Sequence, residues 1–272
     1  MAYFKIKLKS VSLSTPTTVR VYLPTDHPNH INQPPKGMIT LLHGYTNDGD
    51  DWINYSAAVR YAGDNGLALL IPDGYNSFYQ NMSHGQQYYT WLTQEMPELL
   101  QQTMQLPWER EKHAICGLSM GGYGALMLGL NCPDRYFACA SFSGAVDLQM
   151  MLDAAKQIPE AKSAFAPIWG DDLILPEQYN LFHLTKKIQA LPPEQQPEIY
   201  CTVGRQDIEP YQIYAQNQAF KCHAEQLNLK FAYQEWEGDH EWSFWDKSLV
   251  YAIDRFFNPG YAKKTLQEWA AL

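Results

Sequence analysis

Basic charge is scarce in this chain. Its 272 residues carry 20 Lys and Arg against 29 Asp and Glu, a formal net charge of −9. Nucleic acid and anionic membrane surfaces recruit proteins through Lys/Arg patches, so neither is expected as a partner. Cysteine is sparse too: Cys116, Cys132, Cys139, Cys201 and Cys222 are odd in number and include no C-x-x-C pair. They read as reduced thiols, several of them small core residues, and not as a disulfide framework or a metal site. No apolar run approaches the ~20 residues of a transmembrane helix. Met1-Ala2-Tyr3-Phe4-Lys5 leads into alternating polar and apolar residues and lacks the apolar stretch of a secretory signal. A cytoplasmic location is therefore expected. Repeats and low-complexity tracts are missing, and the 17 Pro and 17 Gly are scattered, so no linker stands out. One domain over residues 1–272 is expected.

What is present is a chain with 46% hydrophobic residues, enough at this length for a sizeable core. Phe4 to Leu8 and Thr17 to Leu23 read as two strands of an opening hairpin. Met38 to Leu42 and Leu67 to Ile71 are nearly continuous apolar runs, as strands buried on both faces are. Helices are expected from Asp51 to Asn65 and from Thr90 to Gln105, with Pro97 kinking or splitting the second. His113 to Cys116 and Phe137 to Ser143 are further strands. Residues 147–190 break the rhythm with short helical pieces and scattered prolines, and read as a small insertion over the carboxyl edge of the sheet. Strand Glu198 to Val203, helix Tyr211 to Leu227, strand Lys230 to Trp236 and helix Phe244 to Phe257 resume it. Such alternation specifies an α/β fold with a mostly parallel sheet covered by helices on both faces. Ligands of these sheets collect at the carboxyl ends of the strands.

Gly117-Leu118-Ser119-Met120-Gly121 lies where a strand hands over to an apolar helix rich in Ala, Leu and Met. That context reads as the nucleophile elbow of an α/β-hydrolase. The turn leaves no room for side chains beside the serine, so Gly117 and Gly121 let the backbone cross itself, and Gly122 lets the helix approach the sheet. Ser119 would then stand exposed at the top of the sheet as the nucleophile.

A serine hydroxyl needs a base, and the base needs an orienting acid; in this fold they follow in the order Ser, Asp or Glu, His. Three histidines follow Ser119. His240 lies in a loop between a strand and the last long helix and is the expected base, whereas His183 and His223 read as surface or packing residues. Asp207, just past the strand Glu198 to Val203, is the expected acid. Asp147, after the preceding strand, is second choice; Asp171, Asp172 and Glu209 are rivals, and a helix cap is the competing role for Asp207. Two N–H donors should hold the oxyanion: that of Met120, at a helix N-terminus, and that of Tyr45, aimed by the turn at His43-Gly44. His43 is expected to orient this loop. Trp52, Phe78, Tyr79 and Trp242, with Tyr45, are candidate walls of an acyl or phenolic pocket, core packing being the competing explanation. This chemistry calls for no metal or cofactor.

Four segments together resemble the esterase D family of α/β-hydrolases: Leu42-His43-Gly44, Gly117 to Gly122, Val203-Gly204-Arg205-Gln206-Asp207, and Gly238-Asp239-His240-Glu241-Trp242-Ser243-Phe244-Trp245. That family includes S-formylglutathione hydrolases, tributyrin esterases and feruloyl and acetyl esterases. The segment from Asn76-Ser77-Phe78-Tyr79 through Tyr88, with Glu95-Met96-Pro97 beyond it, resembles the tributyrin-esterase branch in particular. The resemblance implies a cytosolic, homo-oligomeric serine carboxylesterase that hydrolyses short-chain acyl or aryl-acyl esters through an acyl-enzyme, with Ser119, Asp207 and His240 as its triad. The loop after His43-Gly44 departs from the thioester hydrolases, which counts against a glutathione thioester. A thioesterase, an acyltransferase and a non-catalytic binding protein of the same fold are the alternatives.

Overall fold

In the computed structural model, which describes residues 2–270, eight strands form a single sheet. They are β1 (Ala2–Ser10), β2 (Thr15–Leu23), β3 (Gly37–Leu42), β4 (Leu67–Pro72), β5 (His113–Leu118), β6 (Ala138–Phe142), β7 (Glu198–Gly204) and β8 (Phe231–Trp236). Their order across the sheet is β1-β2-β4-β3-β5-β6-β7-β8. β1 pairs with β2, and β2 with β4, in antiparallel fashion. Every pairing from β4 through to β8 is parallel.

The helices are α1 (Asp51–Asn54), α2 (Ala58–Asn65), α3 (Tyr88–Thr90), α4 (Met96–Thr103), α5 (Met120–Asn131), α6 (Leu148–Ala155), α7 (Pro159–Trp169), α8 (Leu181–Gln189), α9 (Ile213–Gln226), α10 (Trp242–Phe256) and α11 (Tyr261–Ala270). The strands divide their side chains between two apolar layers, as a period of two requires. Met38, Leu42, Ala68, Leu70 and Ile115 join the layer that contains α5, α6, α8 and α9. Ile39, Leu41, Leu69, Ile71 and Cys116 join the layer beneath α1, α2 and α10. Both faces are therefore covered, which is why β3, β4 and β5 are buried along their length.

Some boundaries differ from expectation. The helix expected over 51–65 is two, because Asp246 Oδ1 accepts the Ala57 N–H at 2.7 Å and starts α2 afresh. The run expected over 90–105 extends from Tyr88 to Thr103, with a π turn at Trp91–Glu95 ahead of Pro97. Proline has no N–H to give the carbonyl four residues back; Arg135 Nη2 donates to that Thr93 carbonyl at 2.8 Å instead. Of the segment 147–190, α8 buries Leu181, Leu184 and Ile188 against the core, and only α6 and α7 stand over the carboxyl edge. α11 had no counterpart in the sequence reading. The five cysteines are free thiols. Among the described residues, no helix is long and apolar enough to cross a membrane, and no cluster of His, Cys, Asp or Glu is placed to hold a metal ion.

Candidate active site

The loops that follow β3, β5, β7 and β8 converge at the carboxyl end of the sheet. The turn from β5 to α5 places Ser119 at φ 53° and ψ −119°, a left-handed conformation that costs a serine energy and persists only where its surroundings enforce it. Here they do. A Cβ at Gly117 would collide with the Gly121 carbonyl, and one at Gly121 with the Leu42 and His43 carbonyls. The Ser119 N–H donates to the Phe142 carbonyl of β6 at 2.9 Å, locking the turn to the neighbouring strand.

Three side chains meet there in one line. Ser119 Oγ lies 2.9 Å from His240 Nε2. His240 Nδ1 lies 2.8 Å from Asp207 Oδ2. A carboxylate oxygen only accepts, so Nδ1 carries the imidazole proton and Nε2 is free to accept from the serine hydroxyl. Asp207 is 2% exposed and His240 retains access to the cavity. These two residues meet because β7 and β8 are neighbours and their following loops are zipped together: Gln206 N–H donates to the Gly238 carbonyl at 3.1 Å, and Gly238 N–H to Gln206 Oε1 at 2.7 Å. The Trp245 ring stands against the imidazole, perpendicular to it, with centroids 5.0 Å apart.

The rival residues are engaged elsewhere. Asp147 caps α6, its carboxylate accepting from Met150 N–H at 3.0 Å. Asp171 and Asp172 are exposed in the turn after α7. Glu209 is exposed and accepts from Gln212. His183 faces Glu177, and His223 pairs with the Thr185 hydroxyl of α8. Asp207 is not a helix cap, since α9 begins only at Ile213.

The loop after β3 is pinned from behind. Gly74 N–H donates to His43 Nε2 at 2.8 Å, so Nδ1 bears the proton and donates to the Gly44 carbonyl, also at 2.8 Å. Burial pushes this imidazole below the usual histidine range and keeps it neutral. In a trans peptide the C=O and the next N–H point in opposite directions, so holding the Gly44 carbonyl turns the Tyr45 N–H to the other side of the loop. Gly44 abuts the serine: a Cβ built on it would lie 3.5 Å from Ser119 Cβ. Met120, first residue of α5, has no intrahelical partner for its N–H.

Ser119 and His240 open into a cavity of about 690 Å³. Its walls are Gly44 to Asn47 and Phe78 on one side, Met150, Met151, Ala154, Ala155, Ile158, Ala161, Ala164 and Phe165 of the α6–α7 hairpin, and Pro210 to Ile213 with Trp245. Of the aromatic residues expected to line it, Tyr45 and Phe78 do. The other three do not. Trp52 is fully buried behind the sheet, where its indole N–H donates to the Leu42 carbonyl at 3.0 Å. Tyr79 is equally buried, and its hydroxyl donates to the His43 carbonyl at 2.8 Å. Trp242 packs edge-on against Trp52 and Trp245. The α6–α7 wall was not anticipated; its signal in the sequence is a run of Met and Ala in two short helices, which reads equally well as core.

The Esterase family matches residues 10–256 of the chain. An acetyl esterase of Caldicellulosiruptor saccharolyticus is 28% identical over 269 residues, covering 93% of this chain and 97% of that protein. Among solved structures, the fluorophosphonate-binding serine hydrolase FphF of Staphylococcus aureus, solved with substrate bound, superposes with a TM-score of 0.82 at 25% identity, covering 94% of this chain and 98% of that one. The S-formylglutathione hydrolase FrmB of Staphylococcus aureus superposes with a TM-score of 0.79 at 26% identity, covering 94% and 99%. A strained serine at the strand-to-helix turn, a fold shared with these hydrolases and a family match over most of the chain lead to one conclusion: the chain belongs to the Esterase family, and it is a serine hydrolase of carboxylic esters with the α/β-hydrolase fold.

Proposed function

We propose that Ser119, His240 and Asp207 are the catalytic triad and that the enzyme hydrolyses uncharged short- to medium-chain acyl or aryl-acyl esters. The observation that carries this reading is the unbroken hydrogen-bonded line from Asp207 through His240 to Ser119, opening into an apolar cavity. Ser119 Oγ attacks the ester carbonyl carbon while its proton passes to His240 Nε2, and the N–H groups of Tyr45 and Met120 hold the oxyanion. Collapse of the tetrahedral intermediate breaks the bond to the alcohol oxygen, which takes the proton from Nε2. Water then repeats the attack on the acyl-serine, giving its proton to Nε2, and the acid departs as Ser119 recovers its hydrogen. Asp207 holds the imidazole in the tautomer that both halves require.

A glutathione thioester fits less well. Glutathione carries carboxylates, and among the described residues no Lys or Arg lines the cavity to receive them. The deciding experiment compares p-nitrophenyl butyrate with S-formylglutathione on the wild type and on Ser119→Ala. The wild type should prefer the butyrate, and the variant should lose about 10⁶-fold in kcat. Near-normal turnover by the variant would remove Ser119 from the mechanism.

A further inference from the structure

We infer that the α6–α7 hairpin is the acyl-chain site of this enzyme and sets its chain length, admitting a straight apolar acyl group of about eight carbons with methylenes ~1.25 Å apart along the chain. The inference rests on the reading of Ser119 as the esterase nucleophile and deepens it.

The first observation is chemical sidedness. The departing alcohol must take its proton from His240 Nε2, so the alcohol leaves on the imidazole side and the acyl group points away from it. His240 is flanked by Asp207, Ser119 and Trp245. Phe165 of α7 instead packs on Tyr45 and Phe78, with ring centroids 6.4 and 6.1 Å apart, on the oxyanion-loop side of the serine. The hairpin wall therefore lies where the acyl group goes.

The second observation is the character of that wall. Ala154, Ala161 and Ala164 line the cavity together with Met151 and Phe165, and its volume of about 690 Å³ is far more than an acetyl group fills. From Ile158 to Phe165 the helix runs roughly 10 Å at ~1.5 Å per residue. The wall is also fixed. Trp169, at the end of α7, donates through Nε1 to Gln80 Oε1 at 3.0 Å, and Gln80 Nε2 donates to the Tyr123 hydroxyl of α5 at 2.9 Å. A wall tied to the helix that follows the nucleophile keeps its distance from Ser119 and can discriminate length.

The test is a series of p-nitrophenyl esters from acetate to dodecanoate, at a constant leaving group, with the wild type and Ala161→Phe. Each added methylene should raise kcat/KM by about fourfold, the equivalent of ~0.8 kcal/mol, until the chain reaches about eight carbons. Ala161→Phe should lower the octanoate-to-acetate ratio of kcat/KM by about tenfold or more. Ala164→Leu, a smaller intrusion on the same wall, decides the matter if Ala161→Phe does not fold. Wild-type activity that falls steadily beyond butyrate, or a ratio unchanged in a folded variant, overturns the assignment. So does a length preference found only in a parallel series of alkyl acetates, where the alcohol grows instead. Absence of any Ser119-dependent turnover of the acetate would instead sink the esterase reading itself, so the two failures are told apart.

Discussion

His113 offers a measurable consequence of burying a titratable ring at the root of the strand that leads to Ser119. It is fully buried at the start of β5, with Nε2 2.9 Å from the Thr40 hydroxyl and the ring edge-on to Tyr136 at 4.6 Å. Among the described residues no partner faces Nδ1, so a proton added there finds no acceptor. Burial pushes the imidazole down to about 3, whereas an unfolded chain leaves it near 6.5. The folded value is the depressed one, so the unfolded chain binds the proton first and stability falls as pH drops below about 6.5. Between about pH 7.5 and about pH 5 the loss from this one ring is roughly 2 kcal/mol, from ~1.4 kcal/mol per unit over ~1.5 units. Urea unfolding of the wild type and His113→Gln at both pH values isolates the effect as a double difference. His43, lowered in the same direction by its burial, contributes equally to both proteins and cancels. The variant should lose about 2 kcal/mol less than the wild type on acidification, whatever its stability at neutral pH. A double difference below about 0.5 kcal/mol would refute the reasoning, because the ring would then have to be solvated or paired in the folded state.

Four further outcomes are expected. Asp207→Asn should lower kcat by about 10⁴-fold, because the amide no longer selects the imidazole tautomer; Asp147→Asn should leave turnover and stability near wild type, since asparagine caps a helix as well as aspartate, and steady-state kinetics on p-nitrophenyl butyrate separate the two. Trp52→Phe should cost about 1–3 kcal/mol of stability by leaving the Leu42 carbonyl unpaired with KM unchanged, whereas Phe78→Ala should raise KM; thermal melts and KM values on the same preparations check both.

Ser119 is legible in the sequence because an elbow is a local device. The apolar strand, the crossing glycines and the small-residue helix all lie within a few residues of the serine, and no other part of the chain is needed to see why they are there. The meeting of Asp207 with His240 is less local. They stand 33 residues apart, and the hydroxyl stands 121 from the imidazole. Their order along the chain suggests partnership, but Asp147 also follows a strand and also precedes the histidine. What separates them is adjacency: β8 lies beside β7 and not beside β6, so only the loop after β7 can be zipped to the histidine loop.

The sequence by itself determined the alternation of strand and helix, the burial of the central strands and the position of the reactive turn, since each depends on periodicity or on backbone sterics within a short window. Tertiary structure alone decided which aromatic side chains face the cavity. Trp52 and Tyr79 are as aromatic as Phe78, yet each has a polar atom that pairs with a buried carbonyl behind the loop, while Phe78 has none and turns into the cavity. It likewise decided that a modest pair of Met- and Ala-rich helices becomes a wall and not core, because a small side chain makes space only when the opposite wall is held away from it.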